Sequence, residues 1–122
     1  MLSKRDRFGV DVRPWGEVTI YEHTPAWWVK KIVVNPGSRT SLQTHKRRAE
    51  LWFVVEGLIE ATIMRGGKIL VKKMKVGDSV LVEKGILHRI GSKKGGVLIE
   101  VANGEPREND IVRLQDDYGR AS

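Results

Sequence analysis

Short runs of β-branched and aromatic residues recur along the chain between glycines: Trp27 to Val34, Leu51 to Val55, Leu58 to Met64, Lys68 to Met74, Ser79 to Val82 and Val97 to Val101. Runs of this length and composition predict strands, and no window sustains the 3.6-residue apolar period of an amphipathic helix. Arg65-Gly66-Gly67-Lys68 predicts a hairpin connection, Asn35-Pro36-Gly37 a turn and Lys94-Gly95-Gly96 another. Strands spaced by about 8–12 residues predict an all-β antiparallel sandwich or barrel. Residues 1–12 are expected as a short N-terminal arm and residues 103–122 as a C-terminal arm. The charged stretch from Asn103 onward is the one place where a helical turn or irregular arm is expected.

The chain has 122 residues, no internal repeat and no Ser- or Pro-rich linker, which makes residues 1–122 a single domain. That length excludes a (β/α)₈ barrel and a dinucleotide fold with a separate substrate domain. The absence of cysteine removes disulfides, zinc ribbons and thiol nucleophiles, so any chemistry uses oxygen and nitrogen groups. Leu51 to Val55 is strand-sized, not membrane-sized, and no apolar segment follows the charged N-terminus. The expectation is a soluble, cytoplasmic protein without membrane contact. A formal charge of +7 draws anionic partners. The basic loop Lys46-Arg47-Arg48 is short and has no interleaved aromatics, which argues against nucleic acid and leaves an anionic small substrate.

Candidate chemistry is concentrated in two segments: Gly37-x5-Gln43-x-His45-x4-Glu50-x6-Gly57, then Gly77-x7-Gly85-x2-His88. On a strand Gln43 and His45 project from one face, and a turn through Lys46 to Ala49 lets Glu50 begin the next strand facing them. His88, after a glycine turn, can enter on a neighbouring antiparallel strand as a fourth donor. Two imidazoles, a carboxylate and an amide oxygen suit a divalent cation such as Zn²⁺, Mn²⁺, Co²⁺, Fe²⁺ or Ni²⁺. The bland alternative is that these are unrelated polar residues at strand ends. The glycine spacing and the joint recurrence of four ligand types weigh against it.

These segments resemble the paired motifs of cupins, with Gln43 standing where many cupins have the first His. The resemblance extends over Arg13-Pro14-Trp15-Gly16, Ser41-Leu42-Gln43-x-His45-x2-Arg48-x-Glu50-x-Trp52, His88-Arg89, and the terminal Asp110-Ile111-Val112-Arg113-x2-Asp116-x-Tyr118-Gly119-Arg120. Together they look like type II phosphomannose isomerase, the isomerase part of bifunctional mannose-1-phosphate guanylyltransferases, here standing alone. The resemblance implies a cupin jelly-roll barrel (a double-stranded β-helix), a divalent metal on Gln43, His45, Glu50 and His88, and interconversion of mannose-6-phosphate and fructose-6-phosphate. Two positions depart from the family pattern: Leu51 replaces a usual His, and Glu83 a usual Pro.

Aldose-ketose isomerisation moves a proton between C1 and C2 through an enediol. It needs a base and a positive centre at the developing oxyanion. With Glu50 occupied as a ligand, Glu100 is the candidate base, because a carboxylate inside the apolar run Val97 to Val101 is desolvated and more basic. The alternative is that Glu100 points outward. For the phosphate of a phosphorylated sugar the candidate cations are Lys30, Arg39, Arg48, Arg89 and Arg113. Alternation allows only one of Lys30 and Lys31 to face inward and sets Arg89 opposite His88. Arg113 and Arg120 lie in the tail, which could fold over the opening. Trp27 and Trp28 point to opposite faces, which leaves one available to a partner and suggests a homodimer. Two other readings of the same residues are an Fe(II)-dependent dioxygenase and a non-catalytic sugar or sugar-nucleotide binding cupin.

Overall fold

The computed structural model describes residues 9–121, and every regular element among them is a strand. In chain order these are β1 (Val10–Arg13), β2 (Gly16–His23), β3 (Trp27–Val34), β4 (Ser38–Arg39), β5 (Leu42–Thr44) and β6 (Arg48–Gly57). They continue with β7 (Ile59–Arg65), β8 (Lys68–Met74), β9 (Ser79–Val82), β10 (Leu87–Ser92), β11 (Gly96–Gly104) and β12 (Val112–Gln115). All pairings are antiparallel. One sheet runs β1-β2-β3-β11-β6-β9, and the other runs β12-β5-β10-β7-β8 with β4 also on β10.

Five of the six runs singled out above lie wholly in strands and the sixth does from Ile59 on, Leu58 falling between β6 and β7; three of them coincide with β3, β8 and β9. The hairpin at Gly66-Gly67 joins β7 to β8, with φ of 57° and 76° at the two glycines, a backbone that other residues rarely adopt. Gly57 also has a positive φ, 67°, and a Cβ there would run into the Gly95 carbonyl. Only glycine lets β6 turn so close beside the start of β11.

Both expected arms are partly ordered strand. Residues 10–12 belong to β1, whose Val10 lies opposite Thr19 of β2; residues 1–8 fall outside the described part. The tail contains no helical turn among the described residues. Instead, β11 runs on to Gly104, and β12 pairs with β5, placing Arg113 opposite Gln43. The rest of the described tail, 105–111 and 116–121, is irregular; the short edge strand β12 gains its stability from the ladder it joins, and charge on an edge is tolerated.

The two sheets close over one core, built from Val18, Ile32, Val34, Trp52, Val54, Ile59, Ile63, Met74, Val82, Ile90 and Leu98 among others. Strand alternation sets its boundary. Inward positions of β6 read Arg48, Glu50, Trp52, Val54, those of β3 read Trp28, Lys30, Ile32, Val34, and those of β11 include Leu98, Glu100 and Ala102. Register aligns these rows: Leu98 lies beside Ile32 and Val54, whereas Glu100 lies beside Lys30 and Trp52. One end of the barrel is therefore aliphatic and carries the stability, and the other is lined with buried charge. No helix of the described residues is long and apolar enough to cross a membrane.

Candidate metal centre

The charged end of the barrel holds the residues of the two sequence motifs. His45 follows β5, the bend at Lys46-Arg47 reverses the chain, and β6 begins at Arg48 with Glu50 facing back. His88 of β10 is the direct cross-strand partner of Gln43. One ligand atom each from His45, Glu50 and His88 lies within 4.8 Å of the others, and all three residues are buried. His45 Nε2 is 3.3 Å from Glu50 Oε2, and His88 Nε2 is 3.7 Å from Glu50 Oε1.

Backbone contacts fix the tautomers. The Nδ1–H of His45 donates to the Asp110 carbonyl (2.7 Å) and that of His88 to the Ile86 carbonyl (2.9 Å). Each ring therefore presents the lone pair of Nε2 to the centre, the arrangement metal-ligating histidines use. His88 Nε2 is buried and has no hydrogen-bond partner. A buried acceptor left unmatched is costly, and a cation would satisfy it. Gln43 stands over the same point. Its Nε2 is 3.3 Å from His45 Nε2 while its Oε1 accepts from Ser41 Oγ (2.6 Å), and a half-turn of the amide would exchange the two atoms. The donor set fits a borderline divalent metal, provided His45 gives up its present contact with Arg48.

Arg48 is buried against the same groups. Its Nε–H donates to Glu50 Oε2 (2.7 Å), one terminal nitrogen lies 3.0 Å from His45 Nε2, and the other donates to the Arg107 carbonyl (2.8 Å). Burial alone would push the Glu50 carboxyl up. The charges of His88, His45 and Arg48 outweigh it and hold Glu50 down to about 2. Burial brings His45 down to about 4, with Arg48 and His88 adding to it against the pull of Glu50. Glu100 moves the other way. Burial, then the charge of Glu50 and a hydrogen bond with it, raise Glu100 to about 8 against Lys30 and Arg48. Glu100 points inward, accepts from Trp28 Nε1–H (2.9 Å) and lines the same cavity as Glu50 and His88.

These shifts fix how metal-free protein responds to pH. A folded carboxyl at about 8, against 4.5 ordinarily, keeps a proton that the unfolded chain has released. Stability then falls as pH rises through that interval, by at most about 1.4 kcal/mol per pH unit for one proton. His45, brought down from 6.5 to about 4, has the opposite slope between those values, so the two offset each other below 6.5. The urea midpoint of chelator-treated protein is expected to decline between pH 6.5 and 8, and Glu100→Gln to abolish that decline. An unchanged decline in the variant would show that another group is responsible.

The expected substrate cations separate. Lys30 faces inward, pairs with Glu108 and lies 3.6 Å from the centre of a Trp28 ring; Lys31 faces out. Arg48, Arg113 and Lys30 line the cavity. Arg39 and Arg89 do not. Arg39 is exposed and held by both oxygens of Asp117 (2.7 and 2.8 Å). Arg89 is buried on the opposite face of β10 from His88, donating to the carbonyls of Thr40 (3.0 Å) and Gln115 (3.3 Å). No bulge intervenes to turn it inward, so alternation settles its place. Arg13 and Glu108 line the cavity and were missed. Arg13 stood in the Arg-Pro-Trp-Gly segment, but nothing local indicated that β1 would reach the cavity mouth.

Asp110, also unassigned in the sequence, ties the tail to the ligands. Besides the His45 contact through its carbonyl, its carboxylate accepts from the backbone N–H of Lys46 (3.0 Å) and Arg47 (2.8 Å). Asp110→Ala frees the bend that aims His45. Metal affinity measured by calorimetry is expected to fall by about 10–100-fold; unchanged affinity would show that the carbonyl alone suffices.

The model of the family described as Mannose-6-phosphate isomerase C-terminal matches residues 4–116. The chain belongs to this family. Among curated relatives of this isomerase-family domain, xanthan biosynthesis protein XanB of Xanthomonas campestris pv. campestris (strain B100) is 40% identical over 111 residues, covering 88% of this chain and 23% of that protein. A mannose-1-phosphate guanylyltransferase of Salmonella montevideo is 39% identical with the same coverages. The family domain thus spans about a quarter of the length of these relatives. An RmlC-like cupin from Shewanella frigidimarina NCIMB 400 superposes with a TM-score of 0.73 at 21% identity, covering 85% of this chain and 89% of that one. The fold is that of a cupin.

Of the two departures from the family pattern, Leu51 faces out of the barrel, 40% exposed, and Glu83 is exposed at a turn. Neither touches the ligand cluster. Trp28 is buried and Trp27 is 42% exposed, as alternation requires.

Proposed function

We propose that this domain is a metal-dependent aldose-ketose isomerase acting on mannose-6-phosphate and fructose-6-phosphate. The observation that carries this reading is the pairing of a two-histidine, one-carboxylate cluster, with His88 Nε2 unmatched, with a second buried carboxylate, Glu100, in the same cavity. The family description supports it, and a relative is named for another reaction of a mannose phosphate.

His45, Glu50, His88 and Gln43 would hold the metal, which when bound supplies Lewis-acid polarisation of a substrate oxygen. Glu100 takes the proton from one of C1 and C2 and returns it to the other. Its carboxylate is anchored by Trp28 Nε1 and shielded from bulk water, which keeps the proton for return. Trp28 is itself clamped between Lys30 and Arg48, which lie 3.6 and 4.4 Å from its ring centres. These contacts hold Glu100 in one rotamer.

The test strips the protein of metal, reloads it with Zn²⁺, Mn²⁺, Co²⁺, Ni²⁺ or Fe²⁺, and follows mannose-6-phosphate in a coupled assay with and without oxygen. Metal-dependent turnover indifferent to oxygen is expected. Oxygen consumption with Fe²⁺ would mean a dioxygenase, an alternative chemistry for this ligand set. Ligand-induced thermal stabilisation without turnover on any metal would mean a binding module. Either result overturns the isomerase reading.

A further inference from the structure

We propose that Arg113, flanked by Arg13 and Arg120, is the anion-binding element of the cavity, and that it takes the phosphoryl group at the end of the substrate remote from the metal. The inference rests on the sugar-phosphate reading above, and it names the residue that binds the phosphate.

Charge pairing decides among the cavity cations. Lys30 is matched by Glu108 and Arg48 by Glu50. Arg120 is held by both oxygens of Asp116 (2.8 and 3.0 Å), and Arg13 by Asp11 (2.8 Å). Arg113 has no carboxylate partner among the described residues, and its Nε is buried with no hydrogen-bond partner. A guanidinium carries five donors and cannot shed its charge, so a buried donor of this kind calls for an acceptor. The surroundings sharpen the demand. Burial, Arg120 and Arg13 all disfavour the Arg113 charge, and Asp116 offsets them only in part. A phosphate dianion would relieve all three effects and would accept two parallel N–H bonds from the planar fork.

Register supplies the geometry. Arg113 lies opposite Gln43, and Gln43 lies opposite His88, so metal ligand and arginine occupy one row across β10, β5 and β12. Two strand spacings separate the row's ends, about 10 Å. An open-chain hexose bound by its carbonyl end at the metal extends far enough to set a terminal phosphate on Arg113. A sugar 1-phosphate, with its anion at the reacting end, cannot satisfy both. The pairing of β12 with β5 and of β1 with β2 places Arg113 and Arg13, and Arg120 of the segment after β12 lines the same cavity.

The test compares Arg113→Gln and Arg113→Lys with the parent protein and with Arg39→Gln, whose side chain lies outside the cavity. In metal-loaded protein, KM for mannose-6-phosphate is expected to rise roughly 10- to 100-fold in Arg113→Gln, the worth of charged hydrogen bonds, with kcat changed much less. Unphosphorylated mannose should be handled alike by parent and variant. Arg113→Lys should be intermediate, because it keeps the charge without the fork, and Arg39→Gln unchanged. Independently of turnover, inorganic phosphate should stabilise the parent against heating and leave Arg113→Gln unaffected, with metal content equal in both. Phosphate stabilisation without turnover would uphold the anion site while removing the isomerase reading. Equal phosphate binding and equal KM in parent and Arg113→Gln would overturn the proposal.

Discussion

Glu50→Ala is expected to abolish measurable metal binding and to lower the stability of metal-free protein by about 3–5 kcal/mol, the cost of stranding one member of a buried ion pair. Glu50 is 2% exposed and takes hydrogen bonds from Arg48 Nε–H (2.7 Å) and Trp52 Nε1–H (3.0 Å). Its removal takes away the one carboxylate that Arg48, 7% exposed and 3.0 Å from His45 Nε2, is hydrogen-bonded to among the described residues. The double variant Arg48→Met/Glu50→Leu separates the two effects. Urea unfolding should show much of the lost stability restored, since an apolar pair of similar volume replaces a buried ionic one at little cost. Calorimetric titration with Zn²⁺ or Mn²⁺ should still show no binding. If the single variant were as stable as the parent, the buried pair would not be the element that organises this end of the barrel.

Glu100→Gln is expected to retain metal and to lower kcat by about 10²–10⁴-fold, the range general acid-base catalysis contributes. Glutamine keeps the shape and can still accept from Trp28 Nε1 (2.9 Å), but it cannot carry a proton between carbons. The measurement is kcat in the coupled mannose-6-phosphate assay with bound metal quantified in the same preparation. A variant that lost metal in proportion to activity would mean that Glu100 serves only to orient Glu50. Undiminished kcat would remove it from proton transfer.

Much of the barrel is legible in the order of residues alone. Trp27 to Val34, Lys68 to Met74 and Ser79 to Val82 are strands over their full lengths because a β-branched run bounded by turn residues has few other stable forms. The strands that the pattern does not reveal are β1, β2, β4, β5, β10 and β12. Several are short, and β5 and β10 carry Gln43, His88 and Arg89 where a core strand would carry aliphatic residues. Function has replaced the apolar pattern that makes a strand visible. The side chains that fill those strands are nevertheless the ones that announce the ligand cluster.

For the cations, local reasoning works where alternation applies and fails where it does not. That Lys30 and Lys31 face opposite ways and that Arg89 lies opposite His88 follow from the pleat alone; that Lys30 is the inward one is read from the fold. Arg39, a candidate for its position near a motif loop, lies on the surface with Asp117, 78 residues away in sequence. Arg13 and Glu108 enter the cavity unannounced. No local period tells how two distant ends of a chain meet.

By itself, then, the order of residues determined the all-β class, which side chains of a recognised strand share a face, and a candidate set Gln43, His45, Glu50 and His88, of which His45, Glu50 and His88 meet in the fold. Those properties depend on neighbours a few positions apart. Only the tertiary structure decided that Asp110 orients His45, that Glu50 and Glu100 lie together and titrate in opposite directions, and that Arg113 has no balancing carboxylate. Each depends on pairing between strands far apart in sequence, and both electrostatic energy and burial are set by distance in space.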